Sequence, residues 1–200
     1  MDSEIPARRA TAADAGRITT IIALAFAGDP VWGPAMARPD GGTSHHAAMW
    51  RPFVDGALRY PATWLTEGGE AVALWIPPGA VSMTPEQEER LPRLAAEHLG
   101  PAAGAYVELL DVFHAAHPAT QPHYFLTLFG TDPGQRGHGF GMRLLARNLD
   151  LIDAEHQPAY LESSNPANDR KYASVGFEPV GEIRSPRDGA VITTMWRTAR

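Results

Sequence analysis

Residues 123–177 read HYFLTLFGTDP, GQRGHGFGMRLLARNLDLIDAEHQP and AYLESSNPANDRKYASVGF in succession. The apolar, β-prone start predicts a buried strand at 124–128, which ends before Asp132-Pro133. A glycine-rich turn follows, and the apolar residues after it recur at helical spacing, which predicts a long amphipathic helix. Residues 160–163 are typical of another strand, and Asn165-Pro166 breaks the chain before a short helix that ends at Gly176. The stretch therefore has the order β-α-β-α.

The glycine-rich turn at 136–141, Arg-Gly-His-Gly-Phe-Gly, is suited to bind a phosphate. Glycine permits positive φ and close backbone approach, and the unpaired N–H groups at a helix start, with the helix dipole, attract anions. Arg136 adds a planar cation that matches phosphate oxygens. A left-handed turn that binds nothing is the commoner meaning of a lone glycine cluster. Leu144 breaks the dinucleotide fingerprint G-x-G-x-x-G, and a P-loop is excluded because no Gly-Lys-Ser/Thr occurs.

Two spaced motifs in this stretch resemble one enzyme family. Arg136, Gly139 and Gly141 form R-x-x-G-x-G between a strand and a helix, and Asn165 and Tyr172 begin N-x6-Y-x3-G-F. Together they resemble the acetyl-CoA loop and the following motif of the GNAT acyltransferases. The segment LESSNPANDRKYASVGF is similar to the puromycin N-acetyltransferase-like group of actinobacterial acetyltransferases, and a weaker likeness extends over nearly the whole chain.

The resemblance implies a mixed α/β fold of the GNAT acyl-CoA N-acyltransferase type, with about six or seven strands flanked by helices. It implies one domain at 1–200. Within it, 1–122 supplies substrate-side elements, 123–177 the acetyl-CoA and catalytic core, and 178–200 a closing hairpin. The sequence agrees, because further strand patterns occupy 5–10, 63–67, 71–76, 178–185 and 190–197. Helical patterns occupy 11–26, 45–60 (or from Pro52) and 102–117. Another helix begins at Thr84 with an interruption or bend at Pro92, whereas 28–44 is expected to be irregular.

Composition excludes several other classes of protein. The net charge of −6 argues against a nucleic-acid surface but is compatible with a cationic amine substrate. No apolar run approaches a membrane span, and the start MDSEIPARRA lacks the order of a signal peptide, so we expect a cytoplasmic protein. The absence of cysteine excludes disulfides and a cysteine acyl-enzyme, which favours direct attack in a ternary complex. The eight histidines are scattered without a ligand set, so no metal is expected.

Tyr172 and Glu162 are the candidate catalytic residues. The resemblance implies that Tyr172 is the general acid, and a phenol is protonated at neutral pH and can protonate a thiolate. Taken alone, such a tyrosine is more often a packing residue. Strand alternation points Glu162 away from the side of Leu161, where it could accept the proton of an amine. A solvated or serine-paired Glu162 is the alternative, and water or another carboxylate could then serve as the base.

The remaining candidates are assigned to the cofactor or the acceptor. The resemblance implies that the end of the strand before the loop pairs with pantetheine and polarises the thioester, and that the loop holds the pyrophosphate. The cofactor candidates are Phe129, Gly130, Thr131, Arg136, Gly137, His138, Gly139, Phe140, Gly141 and Asn165. The substrate candidates are Asp29, Trp32 and Glu67, although Trp32 could instead close the core. Asp29 stands where the puromycin-like group has Tyr, which argues against puromycin itself as the substrate.

The sequence therefore predicts an acetyl-CoA-dependent N-acetyltransferase that acts on a small amine, for example an aminonucleoside or another antibiotic. The alternative is a non-catalytic acyl-CoA sensor with the same fold. The enzyme is favoured because Arg136, Gly139, Gly141 and Tyr172 occur together, whereas a sensor could dispense with the acid. The sequence leaves open the acceptor, the acyl-chain preference and the oligomeric state, with a homodimer as one option.

Overall fold

The central sheet is mixed, as predicted, and has seven strands in the computed structural model, which describes residues 5–200. The strands are β1 (Ala7–Arg9), β2 (Thr63–Thr66), β3 (Ala71–Ile76), β4 (Tyr124–Thr131), β5 (Ala159–Ser163), β6 (Glu178–Arg184) and β7 (Val191–Arg197). Their order across the sheet is β1-β2-β3-β4-β5-β7-β6. β4 and β5 pair in parallel, and every other neighbouring pair of the described sheet is antiparallel.

Helices cover both faces of this sheet. They are α1 (Ala15–Phe26), α2 (Trp32–Ala35), α3 (His46–Ala57), α4 (Pro85–Leu99), α5 (Ala103–Ala116), α6 (Phe140–Ala154) and α7 (Asp169–Ala173). Helices α1 to α5 share one apolar core on one face, whereas α6 packs on the other with Phe177 and Met195. No helix within residues 5–200 is long and apolar enough to cross a membrane.

Helix boundaries follow local signals in most places. Helix α4 begins after Thr84, whose backbone N–H donates to Gln87 Oε1 at 2.8 Å and whose hydroxyl accepts from the Gln87 N–H, as a capping box does. The helix then continues through Pro92, where an interruption or bend was predicted. Helix α3 begins at His46 rather than at Pro52. Residues 28–44 were expected to be irregular, but they contain the short helix α2. Asp29 caps its start, because Oδ1 accepts hydrogen bonds from the N–H groups of Val31 and Trp32.

A bulge in β4 shapes the middle of the sheet. Leu74 of β3 pairs with Leu128, but the next residue, Trp75, pairs with Leu126, so that Thr127 has no partner across the ladder. An extra residue reverses the alternation of side chains. Leu126 accordingly packs with α6 on one face, and Leu128 packs with the helices on the other.

Candidate active site

A large cavity opens where β4 and β5 separate. Their parallel pairing ends at Leu126 and Leu161, although β4 continues to Thr131 and β5 to Ser163. The backbone of β4 from Thr127 onward therefore has no β5 partner, and all of it lines a cavity of about 1370 Å³. Phe129, Gly130 and Thr131, the residues expected to contact pantetheine, lie in this segment, which begins two residues earlier than the sequence suggested. Free backbone groups here suit an extended ligand that adds to the edge of β4.

The glycine-rich loop forms the adjoining wall. Gly137 and Gly139 have φ of 86° and 76°, in the left-handed region, and Gly139 precedes the first turn of α6. Arg143 braces the loop, because its guanidinium donates to the His138 carbonyl at 3.0 Å and lies 5.3 Å from the Phe140 ring centroid. The start of α6 thus presents unpaired N–H groups to the cavity, as an anion site requires.

Two loop residues have contacts that the sequence did not reveal. Gly141 is buried in α6, and a Cβ there would lie 2.5 Å from Thr131 Oγ1 and 3.2 Å from Phe129 Cζ. Its role is the close packing of α6 on β4. Arg136 donates to the carbonyl of Ala25, in the last turn of α1, at 2.9 Å. Arg136 therefore joins the loop to α1 while it lines the cavity.

Tyr172 lies on α7 and lines the same cavity. Its ring packs at 6.3 Å from both Phe129 and Phe177, and its hydroxyl makes no hydrogen bond within residues 5–200. Burial, together with the negative charges of Asp29 and Asp169, raises the pKa of Tyr172 above its ordinary value. The phenol therefore keeps its proton throughout the physiological pH range and can donate it to a group in the cavity.

Glu162 also faces the cavity, with only 8% of its side chain exposed. Burial raises the pKa of Glu162 to about 8, although the hydroxyl of Tyr160 opposes the shift by donating to Oε1 at 3.1 Å. Nδ1 of His117 lies 3.9 Å from the same oxygen, and burial lowers the pKa of His117 to about 4, so its imidazole is neutral. Oε2 accepts no hydrogen bond from the described residues. A carboxylate with such a pKa can remove a proton near neutral pH.

The predicted residues at the end of β5 and near α1 are placed as follows. Asn165 lines the cavity, and its side chain accepts from the Ala167 N–H at 3.1 Å. Asp29 is 9% exposed and lines the cavity, but its carboxylate is already engaged, since Ser164 Oγ donates to Oδ2 at 2.7 Å and two backbone N–H groups donate to Oδ1.

Trp32 is 8% exposed; it belongs to the core and contributes to the cavity wall. Glu67 and His138 do not line the cavity.

Residues of helices α3, α4 and α5 form another wall of the cavity. This wall is aromatic, with Trp50 and Phe53 on α3 and Phe113 on α5. Its exposed carboxylates are Glu88 and Asp111, whereas the Arg and Lys residues that line the described cavity, Arg136 and Lys171, lie on the glycine loop and α7. No group of three or more ligating side chains within residues 5–200 could hold a metal ion. This region suits an amine with an apolar body.

No protein-family model matches the chain. Solved structures do resemble it. It shares 26% identity with a Corynebacterium glutamicum protein described as histone acetyltransferase HPA2 and related acetyltransferase, over 98% of this chain and 97% of that one, with a TM-score of 0.68. The Drosophila melanogaster polyamine N-acetyltransferase is 16% identical over 97% and 99% of the two chains, with a TM-score of 0.64. Arylalkylamine N-acetyltransferase 2 from Aedes aegypti is 14% identical over 99% and 100%, with a TM-score of 0.67.

These similarities show that the chain has the fold of the GNAT acetyltransferases, as the sequence analysis expected. They support the prediction of an acetyl-CoA-dependent N-acyltransferase. The geometry of the split sheet and the glycine loop, described above, fits acetyl-CoA as the donor.

Proposed function

We propose that the protein transfers the acetyl group of acetyl-CoA to the amine of a small molecule by direct attack in a ternary complex. The observation that carries the proposal is the meeting of four features in one cavity. These are the glycine loop, the unpaired backbone of β4, the carboxyl group of Glu162 and the free hydroxyl of Tyr172. The absence of cysteine from the chain agrees with direct attack.

We assign one group of the cavity lining to each chemical step. Glu162 accepts a proton from the ammonium group of the acceptor, which gives the neutral amine its lone pair for attack. The nitrogen attacks the thioester carbonyl, and a backbone N–H of β4 at the split stabilises the negative charge that develops on oxygen. When the C–S bond breaks, Tyr172 donates its proton to the leaving thiolate, and its phenolate then takes the second proton from the nitrogen as the amide forms. Glu162 releases the proton that it accepted to water. The amide and free CoA then depart.

The acceptor is proposed to be an amine with an apolar or aromatic body. The aromatic wall of α3 and α5 supports this, and so does the lack of Lys or Arg in that part of the described cavity lining. The Drosophila and Aedes enzymes are named for polyamine and arylalkylamine acceptors, which are of the same general kind. The sequence likeness to the puromycin N-acetyltransferase-like group adds aminonucleosides and other amine antibiotics as candidates.

The test measures release of free CoA with a thiol reagent. Acetyl-CoA is offered with agmatine, spermidine, 2-phenylethylamine or puromycin, and the absence of cysteine from the protein removes a thiol background. We expect amine-dependent release that Glu162→Gln reduces strongly. Acetyl-CoA binding in calorimetry without release for any amine would contradict the enzyme and favour an acyl-CoA sensor. Failure to bind acetyl-CoA would contradict both.

A further inference from the structure

Two hydroxyl groups on neighbouring strands hold one carboxylate of α7. Ser163 Oγ donates to Asp169 Oδ1 at 2.6 Å, and Thr193 Oγ1 donates to Asp169 Oδ2 at 2.8 Å. Ser163 and Thr193 are directly opposite each other in the antiparallel pairing of β5 with β7, so their side chains project from the same face. Both oxygens of Asp169 are thereby bound, and Ser163 is itself only 3% exposed.

Asp169 is also the first residue of α7, the helix that carries Tyr172. Residues three apart lie on the same side of a helix, so the anchor and the phenol share one face. Helix α7 has five residues, too few to be stable without tertiary contacts. Because the hydroxyl of Tyr172 makes no hydrogen bond within residues 5–200, the position of that oxygen depends on ring packing and on how α7 is held.

We propose that Asp169 is a positioning residue for Tyr172, held between Ser163 of β5 and Thr193 of β7 so that the phenol is aimed at the reacting thioester. The inference rests on the proposed function, since it assigns Asp169 a part in the same reaction. Glu162 directly precedes Ser163 on β5, so a single strand end carries the candidate base and anchors the candidate acid. The carboxylate also adds to the negative charge near Tyr172, where burial and Asp29 likewise keep the phenol protonated.

The experiment compares Asp169→Ala, which removes the anchor, with Ser163→Ala and Thr193→Val, which each remove one donor. Single-turnover acetyl transfer is followed with the best amine of the panel. We expect Asp169→Ala to slow transfer by about 10- to 100-fold, because a displacement of about 1 Å in a catalytic group can cost about 100-fold. The affinity for acetyl-CoA should stay within about twofold, since the interaction would act on the transition state and not on cofactor binding.

A double mutant separates positioning from general support of the fold. If Asp169 acts through the hydroxyl of Tyr172, adding Asp169→Ala to Tyr172→Phe should slow transfer by less than about twofold further, as coupled residues are not additive. A merely structural Asp169 would slow both backgrounds equally and would weaken cofactor binding as well. Equal slowing in the two backgrounds, or an unchanged rate in Asp169→Ala, would overturn the proposal.

A matched control and a direct readout of α7 complete the test. Asp188 also accepts a hydrogen bond, from the Ala190 N–H at 3.1 Å, but in the exposed turn between β6 and β7 and outside the cavity lining. Asp188→Asn should transfer acetyl at the wild-type rate. Amide hydrogen exchange in peptides that cover 166–175 should be faster in Asp169→Ala than in wild type or Asp188→Asn. Unchanged exchange would contradict the anchoring step, whereas a wild-type protein that transfers no acetyl group contradicts the proposed function instead.

Discussion

The chemistry of Glu162 depends strongly on the surroundings of its carboxyl group. Its pKa near 8 results from burial, which penalises the charged carboxylate, and the hydroxyl of Tyr160 offsets the shift only in part. An exposed glutamate would be ionised throughout the neutral range and would be too weak a base for an ammonium group. Burial therefore matches the proposed role, since a general base works best with a pKa near the pH of the reaction.

The pH dependence of activity tests this role. Above about pH 8 the wild-type carboxylate is ionised and can accept a proton, whereas Gln has no ionisable group at any pH. The ratio of kcat/KM between wild type and Glu162→Gln should therefore rise with pH and become constant above about pH 8. Use of a ratio removes the titration of the acceptor amine. A ratio that does not change between about pH 6 and 9 would assign the base to water or to another carboxylate.

The same pKa predicts a pH dependence of stability. The folded-state pKa of about 8 lies above the ordinary value of 4.5, so between these values the folded protein binds a proton that the unfolded chain releases. The stability that neutral Glu162 contributes is fully present below pH 4.5 and is lost as the pH rises through about 8. The free energy of unfolding should thus fall more from about pH 6 to 9 in wild type than in Glu162→Gln, measured by urea denaturation. Parallel losses in both proteins would refute the assignment.

Tyr172 is tested by removal of one oxygen. Tyr172→Phe keeps the ring contacts with Phe129 and Phe177, and the hydroxyl has no hydrogen bond within the described chain to lose. Loss of the general acid should slow the chemical step by about 10²- to 10⁴-fold. Acetyl-CoA affinity and Tm should remain near the wild-type values. A packing role predicts a nearly normal single-turnover rate, because Phe keeps the ring contacts on which packing depends.

At the scale of elements, the contact between α6 and β4 depends on Gly141. A Cβ at this position would approach Thr131 Oγ1 to 2.5 Å, and Phe129 is the next obstacle. We expect Gly141→Ala to lower Tm and weaken acetyl-CoA binding together, because α6 must move away from the strand. Thr131→Ala removes the nearest atom and should restore part of the lost Tm in the double mutant.

Gly137→Ala is the control for this substitution. Gly137 has a positive φ of 86° but open space where a Cβ would stand, so Ala there meets backbone strain of about 1–2 kcal/mol without a clash. Additive losses of Tm in Gly141→Ala and Thr131→Ala would contradict the packing explanation. The comparison distinguishes glycines that give the loop its conformation from the glycine that lets a helix approach a strand.

At the scale of the whole molecule, the candidate sites for the acetyl donor and for the acceptor amine lie in one cavity. Donor groups of the glycine loop and the aromatic wall of α3 and α5 line the same space, and the chain has no cysteine to carry an acetyl group. Double-reciprocal plots of initial rate against acetyl-CoA concentration, measured at several amine concentrations, should therefore give intersecting lines. This is the pattern of a ternary complex. Parallel lines would indicate a covalent acetyl-enzyme on another nucleophile.

The local features of the chain were predictable because their causes lie within a few residues. The start of α4 after Thr84, the hairpin around residues 67–70 and the glycine turn before α6 all depend on neighbours in sequence. A mixed sheet of about six or seven strands and the GNAT fold were expected from the resemblance, and the structure agrees with a sheet of seven strands. The short helix α2 was not predicted. Its start is capped by Asp29, which belongs to the sequence Gly28-Asp29-Pro30, a pattern typical of a turn.

Other features depend on residues that are distant in sequence, and only the folded chain brings them together. The bulge at Thr127 reflects pairing with β3, some fifty residues earlier in the chain. The pKa of Glu162 depends on burial in the folded chain, where His117 lies 3.9 Å from its carboxylate, and the anchor of Asp169 needs Thr193, 24 residues further on. The sequence could therefore indicate both candidates, Tyr172 from its motif spacing and Glu162 from strand alternation, because both signals are local. Tertiary packing decided their protonation and their support, since burial and cross-strand hydrogen bonds do not exist in the unfolded chain.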